Sequence, residues 1–313
     1  MTRPRNPPPP PPELPPLAEG SRRLQASVRE QQRRITVGAA RLAAAAVDDV
    51  HDARVAARRL RSLLKTFRPL LDPRRARLYR IDLRSFARGL AGAREADVRR
   101  ELLVELGRRE PSVSPSGYQR LSRLLEEKSL AARDGLRRHL AEPGWAALCR
   151  ALQRQGASER LLVVRDADLA RLLELVEVSW GKAVQLMEAE PEDVAGLHEL
   201  RLAFKHCRYA LEPVADVAPK STARLLRRLR GAQDAIGEHR DLLLARHWVS
   251  ANERSLGRPL VRRLQPLLET RETVLLHEAA VRSRKVLPAY REWRRAARRA
   301  RKTVRERGNP GPA

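Results

Sequence analysis

The stretch VHDARVAARRLRSLLKTF, Val50–Phe67, decides the fold once it is set above HELRLAFKHCRYALE, His198–Glu212. His51 falls on His198, Arg54 on Arg201, Arg58 on Lys205 and Arg61 on Arg208, at a constant offset of 147 residues. ARLYR (Ala76–Arg80) falls on ARLLR (Ala223–Arg227) at the same offset. LAGAREADV (Leu90–Val98) then falls on IGEHRDLLL (Ile236–Leu244) at an offset of 146, which brings Arg94 onto Arg240 and Glu95 onto Asp241. Three matches in one order, with a single residue of slippage, point to an internal duplication. The repeat is about half the chain, much longer than the unit of a solenoid.

Helical periodicity explains the composition of both copies. With His51 at zero and about 100° per residue, Arg54, Arg58, Arg61 and Lys65 lie at roughly 300°, 340°, 280° and 320°. Ala56, Leu60, Leu63, Leu64 and Phe67 take the opposite side, a core face. In the second copy His198, Arg201, Lys205 and Arg208 share the stripe, and Cys207, Ala210, Leu211 and Val214 take the apolar side. Cys207 therefore reads as a small core residue. Arg59 points off the stripe and has His206 at its counterpart, so it drops out of the candidate site. Like charges at i+3 and i+4 each cost about a few tenths of a kcal/mol, where alternating signs would stabilise the helix. The chain accepts that cost twice at matched positions, and a bound polyanion is the simplest compensation. Arg77, Arg80 and Arg84 continue the pattern on the next helix, as do Arg224 and Arg227.

Outward from these helices, turn signals divide the chain. Helices are expected over 21–48, 49–68 and from Asp72-Pro73 to about Leu90, then 94–109 and 119–141. EPSVSPSGYQ (Glu110–Gln119) reads as a loop, and no helix is assigned between Glu142-Pro143-Gly144 and Asp166. In the second half helices are expected near 166–188, over 197–212, 221–235, 238–254 and 259–283, and a basic one over 287–306. Four or so helices per half is the size of a helical bundle. The expected organisation is a disordered Pro-rich tail (1–20), a first helical half (21–155), a second (156–306) and a short disordered tail (307–313).

Composition narrows the function. Leu and Ala dominate and no alternating Val/Ile/Thr pattern is visible, which favours an all-α fold. Sixty-four Lys+Arg against 38 Asp+Glu give a net charge of +26, whose self-repulsion calls for a polyanionic partner. The basic residues are nearly all arginine, whose planar fork suits phosphate oxygens. A GC-rich coding bias would also raise arginine, but would not place it at matched positions. Two cysteines, Cys149 and Cys207, are too few for a disulfide framework and belong to no zinc pattern, and a cytoplasmic setting is expected. No apolar run is long enough to span a membrane, and no signal peptide precedes the tail. The two histidines lack a third ligand at useful spacing, so no metal or other cofactor is expected; donation to a phosphate oxygen fits the stripe better.

H-x-x-R-x-x-x-[RK]-x-x-R occurring twice, each followed by an L-G-x-x-R-D-like segment, resembles the CHAD family (conserved histidine α-helical domain). The resemblance covers nearly all the chain after about residue 25. It implies two four-helix bundles related by a pseudo-twofold axis, binding inorganic polyphosphate in a basic groove or channel between them, and an association with polyphosphate granules. The motif positions carry over to His51, Arg54, Arg58 and Arg61, to His198, Arg201, Lys205 and Arg208, and to Arg94 and Arg240. The first later segment departs from the pattern, with Ala91 and Glu95 where the family has Gly and Asp.

Two other classes were weighed against a polyphosphate-binding module. A nucleic-acid-associated protein would exploit the same charge, and non-specific binding at low salt is expected. With 4% aromatic residues the chain lacks the stacking platforms of a single-strand binder. Enzymatic phosphate chemistry is not expected: no P-loop is present, and Glu188-Ala-Glu190-Pro-Glu192 lacks the lysine and strand setting of a triphosphate-tunnel metal site.

Overall fold

A computed structural model of the chain describes residues 17–41, 47–157, 166–191 and 193–308; the Pro-rich segment and the C-terminal tail fall largely outside them. The described residues are helical throughout, without a strand. The first half contributes α1 (Glu19–Arg41), α2 (Val47–Thr66), α3 (Pro73–Gly89), α4 (Ala91–Arg109), α5 (Pro115–Ala141) and α6 (Pro143–Ala157). The second contributes α7 (Leu169–Ser179), α8 (Gly181–Glu188), α9 (Val194–Leu211), α10 (Pro219–Ala251), α11 (Glu253–Leu256), α12 (Arg258–Arg284) and α13 (Val286–Gly308).

Side-chain caps set four of the helix starts. The Asp72 side chain accepts from the Arg75 N–H at 2.9 Å with Pro73 behind it, and Ser114 accepts from Gly117 at 3.2 Å ahead of Pro115. Asp168 and Asp193 cap α7 and α9 in the same way. Each such cap satisfies a donor that the first turn leaves orphaned.

Three expectations are corrected. The segment after Glu142-Pro143-Gly144 is α6, because a proline at the first turn starts a helix as readily as it ends one. The helices expected over 221–235 and 238–254 are one 33-residue helix, α10. Gly237 does not break it: an isolated helical glycine costs only about 1 kcal/mol. The expected 166–188 segment, in turn, divides at Trp180 into α7 and α8.

The apolar faces read from the sequence are buried. Ala53, Ala56, Leu60, Leu63 and Leu64 of α2, and Phe67 just after it, are all within 1% of complete burial, as are Leu197, Leu200, Phe204, Cys207 and Leu211 of α9. Burial raises the Cys207 thiol far above its ordinary range, in keeping with a core residue. The core forms two clusters. The larger gathers α1, α2, α3 and α6 with α7, α8, α9, α13 and the first half of α10. The smaller joins Leu103, Leu121 and Leu125 of α4 and α5 to Leu242, Ala245 and Val249 of α10 and to Leu264 and Leu268 of α12. Each cluster draws on both halves of the sequence, and α10 runs through both.

Two clasps hold the ends. Ser21 N–H donates to the Ala167 carbonyl at 3.0 Å, and Ala167 N–H returns a bond to Ser21 Oγ at 2.9 Å. Gly20 makes this approach feasible, since a Cβ there would sit 2.3 Å from the Asp168 carbonyl oxygen. On the other side Trp180 stacks on Tyr290 with centroids 4.3 Å apart, and Arg294, Arg298 and Arg301 of α13 converge on Glu177 of α7 at 2.6–3.0 Å.

Candidate anion-binding site

The stripes of α2 and α9 meet at a partly open cleft of about 280 Å³. His51, Arg54 and Arg58 enter it from α2, and Arg201, Lys205 and Arg208 from α9. Arg94 and Arg99 come from α4, and Arg240 from α10. On α4 the lining residues sit between Ala93 of the larger cluster and Leu103 of the smaller, and on α10 Arg240 and Asp241 sit between Ile236 of the larger and Leu242 of the smaller. The polar cleft is the waist between two dry cores.

Backbone carbonyls aim the inner arginines. Arg54 Nη1 donates to the Leu90 and Ala91 carbonyls, both at 3.3 Å, where α3 gives way to α4. Arg201 Nε donates to the Gln233 carbonyl at 3.4 Å. Gly237, one turn further along α10, faces the same guanidinium; an added Cβ would lie 3.0 Å from Arg201 Nη2. Glycine here serves a close approach, which is why it sits inside an unbroken helix. Arg208 donates to Tyr209 Oη at 3.2 Å and lies over its ring.

Eight arginine and lysine side chains line this space, and among the described residues none of the eight makes an ion pair. The carboxylates present are fewer: Glu95, Asp234 and Asp241. Burial, and then the charges of Arg201 and Arg58, push the Lys205 ammonium down to about 7. Burial followed by neighbouring cations also lowers His51, beside Arg94 and Arg58, and His198, beside Arg240, Arg201 and Lys205. Arg54 and Arg201 are lowered by burial first. Asp241 is raised by burial although Arg201 and Arg240 oppose it. A concave site with desolvated, unpaired cations raises the local concentration of anions and strengthens their binding.

The other stripe residues lie elsewhere. Arg61 faces Arg80, Arg84 and Arg88 in a second group of cations just outside the cleft. Lys65 opens into a separate cavity of about 690 Å³ with Thr66, Lys182 and His206. Arg77 and Arg227 are exposed, and Arg224 is paired with Glu292 of α13 at 3.0 Å. Arg59, set aside by its azimuth, pairs with Glu212 at 3.3 Å. Sequence reasoning missed Arg99, Tyr209 and Gln233. Arg99 carried a signal, since it lies four residues after Glu95 and so shares the Arg94–Glu95 face. Gln233 carried none, because its place depends on how α10 crosses α9.

The CHAD domain family model matches residues 19–250. The fold is similar to that of PptA from Streptomyces chartreusis, with a TM-score of 0.69 and 21% identity over 88% of this chain and 100% of that one. It is also similar to the CHAD domain from the plant Ricinus communis, with a TM-score of 0.64 and 23% identity over 90% of this chain and 92% of that one. No curated protein matches the sequence.

Proposed function

This chain belongs to the CHAD-domain family, and we propose that it binds inorganic polyphosphate, without catalysis, in the cleft where α2 and α4 meet α9 and α10. The observation that carries the reading is the convergence of eight unpaired arginine and lysine side chains on one small space. Polyphosphate has charge along its whole length and no bases to read, so arginine forks and imidazole donors suffice. The lining holds one aromatic, Tyr209, already occupied by Arg208, which argues against a site built for stacked bases. Arg61, Arg80, Arg84 and Arg88 extend the positive surface beyond the cleft, where a long chain continues. The setting proposed is the cytoplasm, at polyphosphate granules. No helix among the described residues is long and apolar enough to cross a membrane.

The test is competition. Labelled long-chain polyphosphate is bound at a series of salt concentrations and challenged with single-stranded DNA of equal total charge. DNA is expected to need roughly tenfold more charge equivalents at physiological salt. Equal competition would replace the reading by general polyanion binding. Phosphate release that disappears on Asp241→Asn would replace it by an enzymatic one.

A further inference from the structure

We infer that Gln233 is a further ligand-contacting residue of the cleft, donating its side-chain amide to a non-bridging phosphate oxygen. This deepens the proposed function and rests on it. Gln233 is 4% exposed and lines the cleft beside Arg201, Lys205 and Arg208, yet its Nε2 is buried without a hydrogen-bond partner, so a turn of the terminal amide is what presents it to a ligand.

Buried polar side chains are normally paired, and several in this molecule are. Ser129 donates to Asp97 at 2.8 Å, and Ser283 to the Ala279 carbonyl at 2.7 Å. Gln233 differs in its surroundings. Arg201, Lys205, Arg208 and Arg240 are donors with no lone pair to offer when charged. The carboxylates of the cleft, Asp234 among them, make no hydrogen bond to Nε2. A phosphate oxygen is the complement of such a wall: it accepts only, and it accepts from several donors at once. The same residue's carbonyl holds Arg201 Nε at 3.4 Å, so one position on α10 both aims a guanidinium and adds a neutral donor. A guanidinium contributes through its field and its fork. An uncharged amide contributes through direction alone, and so fixes where an oxygen sits.

That difference gives the test. Binding of a polyphosphate of defined length is measured from low to physiological salt for the wild type, Gln233→Leu and Gln233→Glu. Gln233→Leu is expected to bind about tenfold more weakly at every salt concentration. Its slope of log K against log salt should be unchanged, because a neutral donor displaces no counterion. Gln233→Glu is expected to lose more and to flatten the slope, because its charge meets Arg201 and Arg208. Gln233→Met, unbranched and similar in length, gives the same reading if the leucine variant does not fold. Wild-type binding with Gln233→Leu or Gln233→Met within twofold of it overturns this assignment and leaves the site standing. Absence of wild-type binding overturns both.

Discussion

Of the places where this molecule gathers several arginines, the clasp on Glu177 and the cleft do opposite things. On α13, Arg294, Arg298 and Arg301 close on Glu177 of α7, which is only 12% exposed. Burial pushes that carboxyl up, but Arg294 and Arg298 outweigh it and hold the group below its usual range. The shared carboxylate offsets part of their charge and draws the three together, and the result is a clasp. In the cleft, arginines of α2, α4, α9 and α10 meet with no carboxylate in ion-pair contact, and burial, with their mutual charge after it, weakens the hold of Arg54 and Arg201 on their protons. Arginine density therefore marks neither a site nor a scaffold. Whether an acid is in ion-pair contact with the arginines does.

The sharpest way to break the comparison is to remove one arginine from each cleft stripe. Arg54→Ala combined with Arg201→Ala is expected to weaken polyphosphate binding by about 100-fold at physiological salt. The melting temperature should hold or rise, since two desolvated like charges are lost. A large fall in melting temperature with unchanged binding would make the cleft a scaffold like the clasp.

The reverse experiment is Glu177→Ala. Three cations then face one another without their acid, and the fold should lose about 2 kcal/mol in denaturant unfolding. Polyphosphate affinity should stay within about twofold of the wild type. If affinity falls in step with stability, the two regions are not separable.

The smallest expected effect concerns the one place where the stripes differ in cation, Arg58 against Lys205. The folded Lys205 pKa of about 7 lies below its ordinary value of 10.5. The folded ligand-free state therefore holds fewer protons than the unfolded one between those values, and its stability rises with pH across that window. A bound polyanion restores the proton. As pH rises from about 7 to about 9, affinity should fall by roughly tenfold. Lys205→Arg, which stays charged throughout, should flatten this window. His51 and His198, both lowered, add a separate gain in affinity below their ordinary 6.5, which the substitution leaves in place. Equal pH profiles for wild type and Lys205→Arg in the upper window would take Lys205 out of the cleft.

The sequence disclosed the azimuth of each charge but not its height. Periodicity placed Arg54, Arg58, Arg61 and Lys65 on one stripe. Lys65 lies about 16 Å along the axis from Arg54, however, at 1.5 Å per residue. Arg54 and Arg58 line the cleft, whereas Lys65, about two turns beyond Arg58, opens into another cavity. The all-helical class and both core faces were legible because burial repeats every 3.6 residues. The continuity of α10 was not, since Gly237 looks the same in a string whether it ends a helix or makes room for Arg201. Gln233 stayed hidden for a related reason: an amide in the middle of a basic helix has no pattern until a neighbour crosses it. The proposed duplication remains a reading of the sequence, and the structure adds that both apolar clusters mix residues from the two halves.

Gln233, Asp234, Arg240 and Asp241 of the cleft belong to a single helix whose two halves are embedded in different cores. Gln233 and Arg240 therefore keep their spacing whether or not an anion is present. Much of the ordering that a flexible basic tail undergoes on meeting its ligand is already complete when this chain folds. Binding then gives up less conformational entropy, and the affinity expected per contact exceeds that of an unstructured arginine-rich peptide of equal charge.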